Sequence, residues 1–162
     1  MLGSPHGPNS IDTSATAVGD RRRPRILVAE DDREMRRLLV EALREDGYAV
    51  DEAPDGVELL AHIGSSVLFG TFGSVRQPPD LIVTDVRMPG LTGLTVLAAL
   101  RESGERVPVI VITAFGDDET HRFAHQHGAV AIFDKPFDLL DLRTAIATAL
   151  QPQHRDAPNP RG

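Results

Sequence analysis

Polar side chains stand at or directly after the ends of several short apolar runs in this sequence. Three carboxylates, a hydroxyl and an ammonium hold such positions: Glu30, Asp31, Asp85, Thr113 and Lys135. Crowded carboxylates repel each other unless a cation neutralises them, and an all-oxygen site suits Mg²⁺. A hydroxyl and an ammonium beside such a site can bind the oxygens of a phosphoryl group in transfer to a carboxylate. If folding brings these groups together, the sequence predicts phosphoryl-transfer chemistry.

Five apolar runs alternate with five segments of helical periodicity along the chain. The strands are predicted at 25–29, 48–53, 80–85, 107–114 and 129–133. The helices are predicted between Asp32 and Gly47 and at 54–64, 93–104, 117–128 and 138–150. Asp32 is of a type that caps the start of a helix, and Gly47 is of a type that ends one.

Continuous apolar strands between amphipathic helices are typical of a parallel sheet that helices cover on both faces. We therefore expect an α/β fold with a doubly wound, five-stranded parallel sheet. Ligands of such sheets bind at the carboxyl ends of the strands, so the strand-end side chains are expected to meet at one edge.

Length and composition favour one domain in the cytoplasm. The chain has 162 residues, a net charge of −7 and no cysteine, which excludes disulfides and thiolate metal sites. The charge argues against direct nucleic-acid binding, and no apolar run approaches a membrane span or a secretory signal. Residues 1–23 and 151–162 are rich in Gly, Pro and polar residues and are predicted to be flexible, leaving a domain at 24–150.

Four motifs give the chain a specific resemblance. ILVAEDD, LIVTDVRMPG, VIVITA and FDKPF occur in this order, and together they resemble the receiver domain of two-component response regulators. The resemblance covers residues 25–150. It implies a flavodoxin-like (βα)5 fold with strand order 2-1-3-4-5.

The resemblance also implies a metal site and a phosphoacceptor. Asp85 would accept a phosphoryl group from a histidine kinase or a phosphotransfer protein. Asp31 and Asp85 would bind Mg²⁺, Glu30 would act through water, and the backbone carbonyl of Arg87 would complete the protein's ligands.

Two further residues are expected at the phosphoryl group itself. Lys135 would pair with the acyl phosphate, and Thr113 would hydrogen-bond a phosphoryl oxygen and draw its loop inward. The bond before Pro136 is expected to be cis, and Asp32 is interpreted as a helix cap outside the acidic pair.

As a response regulator of this kind, the chain is expected to be a phosphorylation-switched signalling protein. It would promote its own Mg²⁺-dependent phosphoryl transfer and dephosphorylation, without a separate catalytic output domain. We expect it to be a stand-alone receiver that acts by protein–protein contact through the fourth helix, fifth strand and fifth helix. A homodimer could use the same face.

The sequence departs from the family pattern beside the lysine. The family usually has an aromatic residue three positions before the lysine, where this chain has Ile132. Phe133 cannot replace it, because neighbouring strand residues point to opposite faces. The usual aromatic response to threonine movement is therefore not expected here.

Two variable positions predict a long-lived phosphoaspartate. Arg87 lies two residues after the phosphoacceptor and Phe115 two residues after the threonine. An arginine there could cover the phosphoryl group, and a phenylalanine could exclude the attacking water.

The link 65–79 and three histidines have less specific interpretations. The link contains apolar residues among glycines and serines, and we favour a helix extension with local packing over a partner-binding element. His121 and His125 share a helix face and, with His127, are interpreted as surface side chains rather than metal ligands.

Two other functions fit parts of the pattern. Ile132 and the long link would suit a protein-binding module that is independent of phosphorylation, but the complete polar set opposes that reading. A metal-dependent phosphohydrolase of the haloacid-dehalogenase type would need a second aspartate at position 87, where Arg87 stands. Neither common nucleotide-binding glycine motif is present.

Overall fold

The computed structural model describes residues 22–67 and 77–152. Its strands are β1 (Arg25–Ala29), β2 (Ala49–Ala53), β3 (Leu81–Asp85), β4 (Val109–Thr113) and β5 (Ala131–Asp134). Its helices are α1 (Arg33–Glu45), α2 (Gly56–Val67), α3 (Gly93–Glu102), α4 (Asp118–Gln126) and α5 (Leu139–Ala149). Each strand is followed by a helix, as the alternation of patterns predicts.

The five strands form one parallel sheet in the order β2-β1-β3-β4-β5. This confirms the predicted α/β class and the predicted strand order. The register pairs Ala29 with Thr84 and Thr113 with Asp134, so the strands end at nearly the same level. Their carboxyl ends therefore form a common edge.

Two apolar layers cover the sheet, one on each face. One layer packs α2, α3 and α4 against strand residues such as Leu27 and Ile82. The other packs α1 and α5 against alternating strand residues such as Ile26 and Val83. Every residue of β3 and β4 is buried, and each fully buried aliphatic side chain stabilises the fold by roughly 1.5–3 kcal/mol.

Side-chain caps fix where the helices begin. Asp32 accepts a hydrogen bond from the Met35 backbone N–H at 2.7 Å, as expected of a cap. Thr92, Asp117 and Asp138 play the same part for α3, α4 and α5. These caps satisfy backbone donors that would otherwise lack partners.

Glycine ends a helix only where the backbone takes a positive φ. Gly47, Gly104 and Gly128 follow α1, α3 and α4 with φ values of 91°, 82° and 72°. Gly64, at which α2 was predicted to end, is not among these residues, and α2 continues to Val67. The predicted end of α2 was therefore three residues too early.

The predicted bounds of β5 were also wrong. The strand occupies Ala131–Asp134 rather than 129–133, because the Ala129 amide bonds back to Ala124 of α4 and the ladder with β4 begins at Ala131, opposite Ile110. The prediction that Ile132 and Phe133 face opposite ways is confirmed. Ile132 packs with the α2–α4 layer and Phe133 with the α1–α5 layer.

Several predictions fall partly or wholly outside the described residues. The link 65–79 begins as the last turn of α2, which agrees with a helix extension, whereas residues 68–76 lie outside the description. Most of the predicted flexible segments 1–23 and 151–162 also lie outside it. Arg22 is described, and its guanidinium donates two hydrogen bonds to Asp80. Among the described helices, none is long and apolar enough to span a bilayer.

Candidate functional site

The adjacent central strands β1 and β3 bring an acidic cluster to the carboxyl edge. Glu30 directly follows β1, and Asp85 is the last residue of β3. One carboxylate oxygen from each of Glu30, Asp31 and Asp85 lies within 4.8 Å of the others. Glu30 is 1% exposed and Asp85 5% exposed, so two of the three carboxylates have lost most of their water.

Lys135 joins this cluster from β5, on the far side of β4. Its Nζ atom lies 2.8 Å from Glu30 Oε2 and 2.8 Å from Asp85 Oδ2. The Lys135 backbone N–H also donates to the Thr113 carbonyl at 2.7 Å. The ammonium thus bridges the two buried carboxylates and offsets part of their repulsion.

The surroundings change the pKa values of two of these groups. Burial raises the pKa of Glu30 to about 7, assisted by the charge of Asp85 and opposed by the hydrogen bond from Lys135. Burial alone would lower the pKa of Lys135, but its hydrogen bonds to Asp85 and Glu30 more than compensate and raise it. The pocket therefore holds buried carboxylates that one ammonium does not fully neutralise.

The remaining contacts orient the acidic cluster. The Asp32 backbone N–H donates to Glu30 Oε1 at 3.1 Å, and Arg36 Nη1 donates to the Glu30 carbonyl at 2.8 Å. Asp31 is exposed and leaves one side of the cluster open to solvent. Two buried carboxylates and one exposed carboxylate, all offering oxygen, fit a hard divalent cation such as Mg²⁺.

Thr113 lies at the end of β4, beside Asp85 in the next strand. Residue Ile112 is the ladder partner of Asp85, so Thr113 is one position beyond it. Thr113 is buried, and its Oγ1 accepts a hydrogen bond from the Phe115 backbone N–H at 3.1 Å. The hydroxyl can still donate its own hydrogen to another acceptor at this edge.

Arg87 and Phe115, each two residues beyond a strand end, contact each other. The Arg87 backbone N–H donates to Asp85 Oδ1 at 3.1 Å, so both oxygens of the Asp85 carboxylate have partners. The Arg87 guanidinium lies over the Phe115 ring, 4.4 Å from its centroid. The sequence singled out both residues, but it gave no indication that they touch each other.

Gly93 allows α3 to begin close to Asp85. A Cβ atom at this position would lie 2.2 Å from the Asp85 carbonyl oxygen and 2.7 Å from Thr84 Oγ1. The Gly93 backbone N–H donates to Val86 at 3.0 Å. The sequence indicated Gly93 only as the start of a helix and gave no sign of this close approach.

The three histidines have different surroundings. His121 Nε2 lies 2.9 Å from Asp134 Oδ1, whereas the His125 side chain is exposed. The His127 ring stacks on Phe123 at 4.0 Å between centroids. The His121–Asp134 contact was not predicted, because it joins α4 to β5 across thirteen positions of sequence.

The expected cis bond between Lys135 and Pro136 is present.

A family model for the response regulator receiver domain matches residues 26–147. Among the described elements, this range leaves out only the first residue of β1 and the last two residues of α5, and it includes the whole polar cluster.

Relatives and solved structures agree with the family match. The chain is 29% identical over 122 residues to sporulation initiation phosphotransferase F of Bacillus subtilis, covering 75% of this chain and 90% of that protein. It is 38% identical over 128 residues to response regulator MprA of Mycobacterium leprae, covering 78% of this chain. The matched part is 51% of MprA, so the chain spans about half the length of that relative.

A solved receiver domain of a Francisella response regulator superposes with a TM-score of 0.66 at 28% identity, covering 79% of this chain and 97% of that one. Fold, motif order, family model and relatives therefore agree with one another. The chain belongs to the response regulator receiver domain family of two-component signal transduction.

Proposed function

We propose that this chain accepts a phosphoryl group on Asp85 from a histidine kinase or a phosphotransfer protein. The carrying observation is the placement of Asp85: a carboxylate 5% exposed at the end of a central strand, 2.8 Å from an ammonium and beside a second buried carboxylate. A carboxylate held this way can attack phosphorus directly, because its position and its counter-charges are fixed before the donor arrives.

The transfer consumes only the phosphodonor, with Mg²⁺ as a cofactor that is not used up. An oxygen of Asp85 forms the bond to phosphorus as the phosphorus–nitrogen bond of a phosphohistidine breaks, and the electron pair of that bond returns to the imidazole. The product is an acyl phosphate on Asp85. Lys135 and the Thr113 hydroxyl are proposed to bind phosphoryl oxygens, which keeps the transferring group in line and offsets its charge.

Glu30, Asp31, Asp85 and the backbone carbonyl of Arg87 are the proposed Mg²⁺ ligands, with Glu30 acting through water. When bound, the ion supplies positive charge to the phosphoryl oxygens and to the crowded carboxylates. Two buried carboxylates, Glu30 and Asp85, share the single ammonium of Lys135, and this excess of negative charge supports a second cation at this place.

The fate of the phosphoryl group is a further part of the proposal. The α4–β5–α5 face is proposed to contact a downstream protein or a second copy of the chain, and it includes exposed Val130 and Leu140. The resemblance to a protein named a phosphotransferase supports onward transfer as one use of the acyl phosphate.

The test is phosphorylation by a small donor. Purified protein is incubated with Mg²⁺ and acetyl phosphate, and its intact mass is compared with that of Asp85→Asn. The matched control is Asp32→Asn, because Asn caps a helix as well as Asp does and Asp32 lies at the same edge.

We expect one added phosphoryl group on the wild type and on Asp32→Asn, and none on Asp85→Asn or after chelation of Mg²⁺. Equal phosphorylation of Asp85→Asn would assign the acceptor elsewhere. No phosphorylation of the wild type, together with failure to bind beryllofluoride and Mg²⁺, would contradict the proposal and leave a phosphorylation-independent binding module.

A further inference from the structure

His121 and Asp134 connect α4 to β5, the strand that Lys135 directly follows. His121 lies in the second turn of α4, and its Nε2–H donates to Asp134 Oδ1 at 2.9 Å. Asp134 is the last residue of β5 and the ladder partner of Thr113. The bridge therefore lies next to the phosphoryl site, one residue from Lys135 and across the ladder from Thr113.

The backbone of the β4–α4 loop packs directly against this bridge. A Cβ atom on Gly116 would lie 1.6 Å from Asp134 Oδ1 and 2.5 Å from His121 Nε2. The side chains of His121 and Asp134 thus occupy the space beside Gly116, and the loop cannot shift in that direction while they are joined. Only glycine permits so close an approach.

The beginning of the same loop contacts Thr113, a residue of the proposed phosphoryl site. Phe115, which immediately precedes Gly116, donates its backbone N–H to Thr113 Oγ1 at 3.1 Å. Its ring lies against the guanidinium of Arg87 at 4.4 Å and is otherwise 63% exposed. A side chain so exposed depends on its backbone for position, and that backbone is held by Thr113 on one side and the bridge on the other.

We propose that His121 and Asp134 are positioning residues that hold Phe115 over the mouth of the pocket and so prolong the life of the phosphoryl group on Asp85. This rests on the proposed function.

Hydrolysis joins a water oxygen to phosphorus and breaks the bond between phosphorus and the Asp85 oxygen. It releases inorganic phosphate and restores the carboxylate, with the water's proton passing to phosphate or solvent. Without the bridge, Gly116 is released, Phe115 leaves its place, and water reaches phosphorus more often.

An ordinary surface ion pair makes a different prediction. The side chains of His121 and Asp134 are 33% and 54% exposed, and such pairs contribute little to stability. If the bridge were only that, its removal would change neither the position of Phe115 nor the life of the acyl phosphate. A positioning bridge and an ordinary ion pair therefore differ in the predicted rate of phosphoryl loss from Asp85. A measurement of melting temperature alone does not distinguish them.

The rate test uses four variants of the full chain. His121→Ala and Asp134→Ala remove the bridge, His121→Gln keeps an N–H donor, and His125→Ala removes an exposed histidine from the same helix. Each protein is phosphorylated with acetyl phosphate and Mg²⁺, the donor is removed, and loss of the phosphoryl group is followed by intact mass.

We expect the two bridge-removing variants to lose the group roughly three to ten times faster than the wild type, the range set by loss of one packed aromatic contact. His121→Gln and His125→Ala should keep the wild-type rate. An unchanged rate in His121→Ala, or the same increase in His125→Ala, would overturn the positioning role.

A second measurement needs no phosphorylation. Amide hydrogen exchange of Phe115 and Gly116 reports directly on the loop, and the Phe115 amide is protected by its bond to Thr113 Oγ1. We expect faster exchange at both amides in His121→Ala and not in His125→Ala. Unchanged exchange would overturn the proposal, as would faster exchange with an unchanged rate of phosphoryl loss. If the wild type is never phosphorylated, the proposed function fails, whereas exchange still decides whether the bridge holds the loop.

Discussion

The guanidinium of Arg87 lies over the aromatic ring of Phe115, 4.4 Å from its centroid, and the backbone N–H of Arg87 donates to Asp85. One residue follows β3 and the other follows β4, so the contact closes the gap between two adjacent strand ends. The two side chains that the sequence associated with a long-lived phosphoaspartate thus form one unit.

This contact predicts the rate of dephosphorylation. We expect Arg87→Asn combined with Phe115→Glu to speed the loss of the phosphoryl group by about fivefold, because a cation–π contact contributes about 1 kcal/mol and a factor of ten corresponds to 1.4 kcal/mol. Each single change should give part of the effect. Phosphoryl loss after removal of the donor, followed by intact mass, measures it. An unchanged rate in the double variant would show that the stack does not restrict water.

The buried carboxylate of Glu30 predicts how stability depends on pH in metal-free protein. Burial raises the pKa of Glu30 from 4.5 to about 7, so the folded state binds a proton that the unfolded chain releases. The stability contributed by this proton is fully present below pH 4.5 and is lost as pH rises through about 7. The loss amounts to about 3 kcal/mol.

Urea unfolding in the presence of a chelator measures this effect. Glu30→Gln should retain the hydrogen bond with Lys135 and give a flatter dependence of the unfolding free energy on pH. Mg²⁺ should flatten the wild-type curve as well, because a bound cation favours the ionised carboxylate. Parallel curves for the wild type and Glu30→Gln would show that Glu30 is not the group responsible.

Replacing Gly93 with alanine is expected to slow phosphorylation by more than the loss of folding stability alone would explain. A Cβ at this position would lie 2.2 Å from the Asp85 carbonyl oxygen, so Gly93→Ala must displace α3 or the end of β3. We expect phosphorylation by acetyl phosphate to slow by at least about tenfold, since small misplacements of reacting groups are costly.

The matched control for Gly93→Ala is Gly47→Ala. Gly47 has a φ of 91° and open space around it, at the end of α1. Alanine there should lower the unfolding free energy by about 1 kcal/mol and leave the phosphorylation rate intact. Equal slowing in the two variants would mean that the rate follows stability rather than the geometry of the site.

Arg101 stabilises a part of the fold that is remote from the pocket of Asp85, so its replacement is expected to lower the free energy of unfolding. Its guanidinium donates to the carbonyls of four residues that follow α3 and α4: Glu105, Val107, His127 and Gly128. Arg101→Met should lower the unfolding free energy by roughly 2–3 kcal/mol, because it leaves these acceptors without their charged donor. The exposed Arg106 nearby is the control, and Arg106→Met should stay within about 0.5 kcal/mol of the wild type. Similar losses in both variants would refute a special role for Arg101.

The sequence was a good guide to the elements because the relevant signals are local. The cap at Asp32 and the stops at Gly47, Gly104 and Gly128 depend on a few neighbouring residues, and the structure has them where predicted. β5 begins two residues and ends one residue later than predicted, because the strand register, rather than the apolar run itself, decides where pairing with β4 begins.

Some contacts of the candidate site could be predicted from the sequence, and others could not. Glu30, Asp85 and Lys135 could be brought together from the order of the motifs, because each lies at a strand end of a sheet with known order. The Arg87–Phe115 and His121–Asp134 contacts could not, because they depend on loop conformation and on the rotation of α4. A glycine between Phe115 and Asp117 is the one sequence signal that could have indicated a close approach there.

The placement of Lys135 has a consequence for the growing chain. Its ammonium meets Glu30 across 105 positions of sequence and Asp85 across 50. During synthesis the carboxylates leave the ribosome well before the lysine, and until β5 pairs with β4 they face each other without its charge. Among the described strands, the one synthesised last therefore completes the pocket, and the acidic cluster of a nascent receiver gains its ammonium only when β5 has joined the sheet.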